Sequence, residues 1–340
     1  MYRYLRPILF KLPPEAAHTL TLKSIGLVGQ IPLIRKTLSK IYTPGASAPV
    51  DVFGLRFPNR VGLAAGYDKN GEAIAGLSAL GFGHIEIGTV TPLPQPGNPK
   101  QRVFRLPEDQ AVINRMGFPS RGAKYLLRQV QKSKPAETIL GINIGKNKDT
   151  PLTEAAQDYI TLVQQCAPFA DYLAINISSP NTVGLRELQH SQYLHDLLQA
   201  ISEARSAASQ SLGRRVSLVV KLSPDIAISD LDQSLSVILD NQIEGIIATN
   251  TTIARPSLAS PHAAETGGLS GAPLTDKSTQ VIAHIYRQTG GKLPIIGVGG
   301  IHSPKDAQKK LDAGASLVQL YTGLVYQGPG LVKQIIEHIS

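Results

Sequence analysis

The chain has a single cysteine, Cys166, in 340 residues. That excludes an internal disulfide and any multi-cysteine metal or iron–sulfur site, and it fits a reducing, cytosolic setting. Long apolar runs are missing too: no window reaches the ~18 residues that a membrane-spanning helix needs. No secretory signal is expected, because Lys11, Pro13 and Pro14 break the N-terminal apolar run. No His/Asp/Glu cluster has metal-ligand spacing, so no metal is expected. The eight histidines are scattered and none falls at the C-terminal end of a strand, which leaves a Ser-His-Asp triad unsupported. Acids are scarce at the N-terminus. Residues 1–42 hold Arg3, Arg6, Lys11, Lys23, Arg35, Lys36 and Lys40 against one acid, Glu15, so this segment carries +6 of the net charge of +9.

With 42% apolar residues the chain reads as a soluble globular protein, long enough for one large α/β domain or two ordinary ones. Short apolar runs at 61–66, 84–90, 140–145, 172–177, 216–222, 245–250, 294–300 and 317–323 read as eight strands. Stretches at 189–209, 229–241, 277–289 and 303–313 have helical spacing. The last has a clean start, with Ser303 as N-cap, Pro304 at the first helical position and Asp306 as the acid of a capping box; Gly314 ends it. Alternating β and α units predict a parallel, closed (β/α)8 barrel. The open doubly wound alternative is disfavoured, since no Gly-x-Gly-x-x-Gly turn follows the first strand. Two long connections, 91–138 and 251–292, are expected to form lids or ligand walls.

The N-terminal segment predicts one helix after Pro13 and Pro14, ending at Gly29, and a short second helix from Pro32 to about residue 40. Apolar helices rimmed by Lys and Arg suit an anionic membrane surface. They equally suit a helical cap on the neighbouring domain. No nucleic-acid motif or stacking platform accompanies the charge, so no nucleic-acid partner is expected. The expected division is 1–42 as a helical module, 43–50 as linker and 51–340 as barrel.

Function in such barrels gathers at the C-terminal strand ends. There the chain places Lys69, Asn143, Asn176, Lys221 and Asn250, while Asn181 follows just beyond and Asn114 lies in the first long connection. Amides both donate and accept, which suits a flat ligand of alternating C=O and N–H groups, such as a pyrimidine dione or a flavin edge. Lysines inside a ring of neutral amides suit an anionic substrate or a phosphate-bearing cofactor. The turns at Gly299-Gly300 and Tyr321-Thr322-Gly323 occupy the barrel's usual phosphate position, and 268–271 offers another glycine-containing loop.

Together these residues closely resemble the quinone-dependent, FMN-containing dihydroorotate dehydrogenases over nearly the whole chain. The resemblance rests on Ala64-Ala65-Gly66-Tyr67-Asp68-Lys69-Asn70-Gly71, Glu86-Ile87-Gly88-Thr89-Val90-Thr91-Pro92 and Asn114-Arg115-Met116-Gly117-Phe118. It continues through 176–182, Lys221-Leu222-Ser223-Pro224, Thr249-Asn250-Thr251, 266–271, 296–300 and Tyr321-Thr322-Gly323. Tyr67 stands where many relatives have an apolar residue, and His84 where phenylalanine is common.

The resemblance implies oxidation of (S)-dihydroorotate to orotate with a quinone as electron acceptor, in pyrimidine biosynthesis. Ser179 matches the catalytic base, a serine where relatives using soluble acceptors usually carry cysteine. One FMN per chain is implied, bound by Ala65, Gly66, Tyr67, Asp68, Lys69, Thr89, Asn143, Asn176, Lys221, Thr249, Gly271, Gly300, Tyr321 and Thr322. The implied substrate residues are Lys69, Asn114, Arg115, Met116, Gly117, Phe118, Asn176, Asn181, Asn250 and Thr251. His18, Arg102 and Tyr321 match positions along the quinone path. The N-terminal module is implied to dock on the membrane and form that path, in a monomeric, bacterial enzyme peripheral to the cytoplasmic side of the inner membrane. A soluble fumarate- or NAD-linked relative and a non-catalytic ligand-binding barrel are the competing readings.

Overall fold

A computed structural model describes residues 2–45, 48–135, 137–182 and 184–339. Eight short strands carry the architecture: β1 (Val61–Leu63), β2 (His84–Val90), β3 (Ile139–Ile144), β4 (Tyr172–Asn176), β5 (Ser217–Leu222), β6 (Gly245–Ala248), β7 (Ile295–Val298) and β8 (Leu317–Leu320). Each pairs in parallel with its chain neighbour, and β8 pairs with β1, so the sheet closes. The expected (β/α)8 barrel is what forms. Strands buried on both faces read as continuous apolar runs, which is why the sequence displayed them.

Side-chain alternation divides the interior in two. Tyr172, Ala174, Val219, Ile247, Ile296 and Leu317 point into the barrel with Phe57. Leu173, Ile175, Leu218, Val220, Ile246 and Val318 point outward, under the surrounding helices. The hairpin of Val50–Val52 and Leu55–Phe57 closes the barrel floor through Val52 and Phe57. Of the expected linker 43–50, residues 46 and 47 lie outside the described residues. The N-cap of Pro304–Asp312 forms as expected at Ser303, with Asp306 as its acid, but the carboxylate reaches back one residue beyond the cap. The Asp306 carboxylate accepts from the His302 N–H and the Ser303 hydroxyl.

The long connections are partly regular. Val103–Leu106 and Ala111–Asn114 form a hairpin, and Gly268–Gly271 joins it antiparallel, so both connections meet in one three-stranded sheet. At the N-terminus there are three helices where two were expected: α1 (Tyr2–Lys11), α2 (Pro14–Gly29) and α3 (Pro32–Tyr42). Pro7 lies inside α1 and hid it from the sequence pattern. Glycine lets α2 touch the barrel: a Cβ at Gly29 would sit 2.3 Å from the Gly76 backbone nitrogen. Arg105 fastens α1, donating to the carbonyls of Leu9, Phe10 and Leu12.

One buried residue works against this core. Both ring nitrogens of His84 lack hydrogen-bond partners among the described residues, and Phe57 packs edge-on at 5.3 Å. Burial pushes the imidazole down to about 3 from its usual 6.5, so it stays neutral. A group with a depressed folded-state pKa gives full stability only above the unfolded value and loses it as pH falls towards the folded one. His84→Phe is therefore expected to raise the melting temperature at pH 7. Its advantage should widen by about 2 kcal/mol between pH 7 and pH 5. Parallel melting curves across that range would rule this out.

Candidate active site

Every barrel strand except β3 sends residues from its C-terminal end into one cavity of about 360 Å³, which continues between α1 and α2. Alternation places the inward-pointing polar groups of the upper barrel on successive strands: Glu86 on β2, Asn143 on β3, Asn176 on β4, Lys221 on β5 and Gln319 on β8. Glu86 is completely buried and anchors them. It accepts from the Asn143 amide at 2.8 Å, the Gln319 amide at 2.9 Å and the Tyr172 hydroxyl at 3.1 Å. Burial, then the Glu86 charge, pushes the Tyr172 hydroxyl well above its ordinary range. The Asn143 carbonyl in turn accepts from Thr89 at 2.5 Å and Asn176 at 3.2 Å. Asn143 is thus held behind Thr89 and Asn176, which line the cavity while it does not. Glu86 was not a site candidate in the sequence. Only the inward register of β2 reveals it.

Lys221 is 5% exposed. Its nearest acid oxygen, on Glu86, lies at 3.7 Å, and the ammonium makes no hydrogen bond among the described residues. It lines the cavity. A buried cation so thinly partnered is costly unless a ligand completes its shell. Lys69 also lines the cavity and donates to the Gly66 carbonyl at 2.5 Å. Burial brings its ammonium down to about 8 against the opposing pull of Glu15.

Beyond β4, Ser178, Ser179 and Asn181 form a tight turn. The Ser178 hydroxyl donates to the Asn176 side-chain oxygen at 2.9 Å and accepts from the Asn250 amide at 2.9 Å. Ser179 is 5% exposed and faces the cavity, and its hydroxyl oxygen accepts from the Asn181 N–H at 3.2 Å. The Asn181 amide donates to Asn114 at 3.3 Å, which ties this turn to the three-stranded sheet. Met116, Gly117 and Phe118 complete that wall, with Thr249, Asn250 and Thr251 opposite.

At the far side Gly271, Gly300, Tyr321 and Thr322 converge. Gly300 has φ +73°, and a Cβ there would lie 2.1 Å from the Thr275 hydroxyl, so only glycine fits. The turn brings backbone N–H groups to the cavity wall with no side chain to screen them. The Ser270 and Thr322 hydroxyls bond at 2.8 Å beside it.

Below, the cavity becomes apolar between Leu9, Phe10, Pro14, Ala17, Ile25 and Val325. His18 packs edge-on to Tyr67 at 5.1 Å, and Tyr67 to Tyr321 at 5.7 Å, a ladder of rings joining this passage to the barrel. Burial and then the Lys69 charge hold His18 down to about 3, so it is neutral. Burial pushes the Tyr321 hydroxyl up to about 12.

Among the sequence candidates Ala65, Gly66 and Tyr67 also line this space, and four do not: Asp68, Asn143, Arg115 and Arg102. Asp68 is fully buried and its carboxylate accepts from the Glu72 and Ala73 N–H groups, stapling the turn after β1. Arg115 pairs with Glu265 at 2.6 Å and stacks on Phe104, facing away. Arg102 grips Glu15 at 2.7 Å. Glu15, in the sequence only the lone acid of residues 1–42 and not a site candidate, is the one of that pair on the cavity wall.

Residues 47–340 match the family described as dihydroorotate dehydrogenase. The chain is 49% identical over 339 residues to the dihydroorotate dehydrogenase (quinone) of Idiomarina loihiensis, covering 100% of both chains. It is 51% identical over 340 residues to the protein of the same name from Xanthomonas oryzae pv. oryzae, covering 100% of this chain and 96% of that one. Among solved structures it is similar to Eimeria tenella DHODH in complex with ferulenol, with TM-score 0.85 and 37% identity over 98% of this chain and 93% of that one.

Proposed function

The chain belongs to the dihydroorotate dehydrogenase family, and from that premise we propose that it oxidises (S)-dihydroorotate to orotate with FMN as cofactor and a membrane quinone as acceptor. The observation that carries this reading is the continuity of the cavity. One space joins the amide-lined barrel mouth, the under-partnered Lys221 and the apolar passage of α1 and α2. A soluble electron acceptor would need no such passage.

The residues fit FMN. Lys221 supplies a cation whose one acid neighbour among the described residues, Glu86, stands 3.7 Å away, suited to the electron-rich edge of a flavin, and the turns at Gly300 and Thr322 suit its phosphate. Thr89 and Asn176 supply hydrogen-bonding groups between them. Asn143 holds those two in place rather than reaching the cofactor itself, and Asp68 shapes the turn that presents Lys69. FMN, when bound, supplies the acceptor for the hydride that leaves C6 of the substrate.

The chain's own residues do the rest. Asn114, Asn181, Asn250 and Thr251 orient the planar ring through paired donors and acceptors. Lys69, protonated below about pH 8, attracts the substrate carboxylate. Ser179 accepts the C5 proton at its hydroxyl oxygen. Serine is a weak base, so its own proton must pass on to water. Burial of the turn keeps the hydroxyl out of bulk solvent.

Residues 1–42 are, in this reading, the membrane-docking and quinone-admitting module, 43–50 the linker and 51–340 the catalytic barrel. Leu5, Ile8, Leu20, Leu27, Leu33 and Ile41 of the module are exposed among its basic residues. No described helix is long and apolar enough to cross a membrane. Docking at the cytoplasmic side of the bacterial inner membrane, as a monomer, completes the proposal.

The test is anaerobic rapid mixing of purified, flavin-loaded protein with dihydroorotate, followed by a short-chain ubiquinone. Bleaching of the flavin band and then fast recovery is the expected result. Bleaching without recovery would remove the quinone assignment, and no bleaching would remove the substrate.

A further inference from the structure

Arg186 lies beside the cavity rather than in its wall, yet its guanidinium gathers three segments that meet there. Nε donates to the Ser178 carbonyl at 3.1 Å, Nη2 to the Thr251 carbonyl at 3.1 Å, and Nη1 to an Asp225 carboxylate oxygen at 3.0 Å. The two carbonyls belong to the turns after β4 and β6, and Asp225 follows β5. Neither turn is tied to the other by strand pairing. The acid is itself held firmly. It accepts from Thr252 at 2.5 Å, from the Ile253 N–H at 2.8 Å and from Lys277 at 2.5 Å.

The contact to Ser178 matters because Ser178 precedes the proposed base. Its side chain is pinned on one face by Asn176 and Asn250. Its carbonyl is pinned on the other by Arg186. The peptide linking Ser178 to Ser179 therefore has no freedom to rotate while both sets of bonds hold. Thr251, at the other end of the fork, adjoins Asn250 in the substrate-holding turn. A planar guanidinium spans carbonyls on two turns and a carboxylate on a third; a lysine ammonium, as a compact point charge, does not. With side chains only 23% and 12% exposed, the Arg186–Asp225 pair is also shielded from solvent screening.

We infer that Arg186 is a positioning residue for proton abstraction, fixing the spacing between the Ser179 hydroxyl and the substrate turn at Asn250 and Thr251. This rests on the assignment of Ser179 as base. It goes beyond that assignment in naming a residue that touches neither substrate nor cofactor, and a dependence on the fork rather than on the charge.

The test uses the full, flavin-loaded chain in anaerobic rapid mixing with dihydroorotate deuterated at C5 or at C6. Arg186→Ala and Arg186→Lys are both expected to slow flavin bleaching by about 10- to 100-fold. The C5 isotope effect should grow while the C6 effect does not, and reoxidation by quinone should stay within twofold of native. Asp225→Asn, which keeps the size but weakens the hold on the fork, should give the same signature at smaller amplitude. A native bleaching rate in the arginine variants, or rescue by lysine, overturns the inference. Loss of flavin or of folding in all three variants would make Arg186 a stability residue and overturn it equally. Ser179→Ala in the same assay separates the two readings. If that variant bleaches at the native rate, the base assignment fails; if it is slow while the Arg186 variants are native, only the positioning role fails.

Discussion

Replacing Ser179 with alanine is expected to lower turnover by about two to four orders of magnitude while the protein keeps its flavin. The change removes one oxygen from a residue that is 5% exposed and whose hydroxyl, among the described residues, accepts only the Asn181 N–H at 3.2 Å. Structural cost should therefore be small: Asn181 is also tied to Asn114, and the backbone of the turn is held through Ser178. Cofactor affinity should not change, since the groups proposed to hold FMN lie elsewhere on the wall. What is lost is the one hydroxyl of the turn after β4 that faces the cavity among the described residues. Among the described residues no histidine or carboxylate bonds to Ser179, so none is placed to rescue the rate. The decisive measurement is the limiting rate of flavin bleaching by dihydroorotate, with flavin content and melting temperature as controls. A rate within threefold of native would remove the base assignment.

Much of the barrel was visible in the apolar runs, because strands covered on both faces have no polar positions to interrupt them. β2 appears over its full length, 84–90. The larger strand misreadings share one cause. The runs at 61–66, 245–250, 294–300 and 317–323 overshoot, since β1 stops at Leu63, β6 at Ala248, β7 at Val298 and β8 at Leu320. The extra residues are the site turns. The alanines and glycines among them, Ala64 to Gly66 and Gly299-Gly300, suit close approach to a ligand rather than pairing. Gly299 and Gly300, with φ of +117° and +73°, cannot continue a strand. The site was legible for a related reason: amides and lysines are poor core material, so their appearance at strand ends stood out.

What stayed hidden depends on contacts between distant segments. The three-stranded sheet pairs Ala111–Asn114 with Gly268–Gly271, and no local pattern announces a partner so far along the chain. Glu86 stands in the sequence only as the first residue of a motif, because its partners, Asn143, Tyr172 and Gln319, lie on three other strands. Asp68 sits within a motif that lines the cavity and Arg102 precedes Val103 of its wall, but the two side chains serve the backbone and Glu15 instead. Residue type and spacing locate a motif. Which of its side chains face the ligand is set by tertiary packing.

Removal of residues 1–42 is expected to divide the two half-reactions. These residues supply Leu9, Phe10, Pro14, Ala17, His18 and Ile25 to the cavity, yet none of the amides, the serine or Lys221. Bleaching by dihydroorotate should therefore stay within about threefold of native, whereas reoxidation by quinone, deprived of its walls, should fall by about a hundredfold, as misplacement of a reactant does elsewhere. Binding to anionic vesicles should vanish together with the net +6 of this segment, since each basic residue near such a surface is worth about 1 kcal/mol. In the intact protein that binding should weaken with salt, because exposed charges are screened. The deletion also strips α2 from the surface around Gly76, and lost packing there is a separate cost. Ala17→Trp avoids it. Ala17 is 8% exposed and lines the passage, so an indole placed there should obstruct quinone while the barrel and the vesicle-binding charges remain. If both variants reoxidise with quinone at the native rate, electrons leave by another route, and the passage between α1 and α2 is only a cap on the barrel.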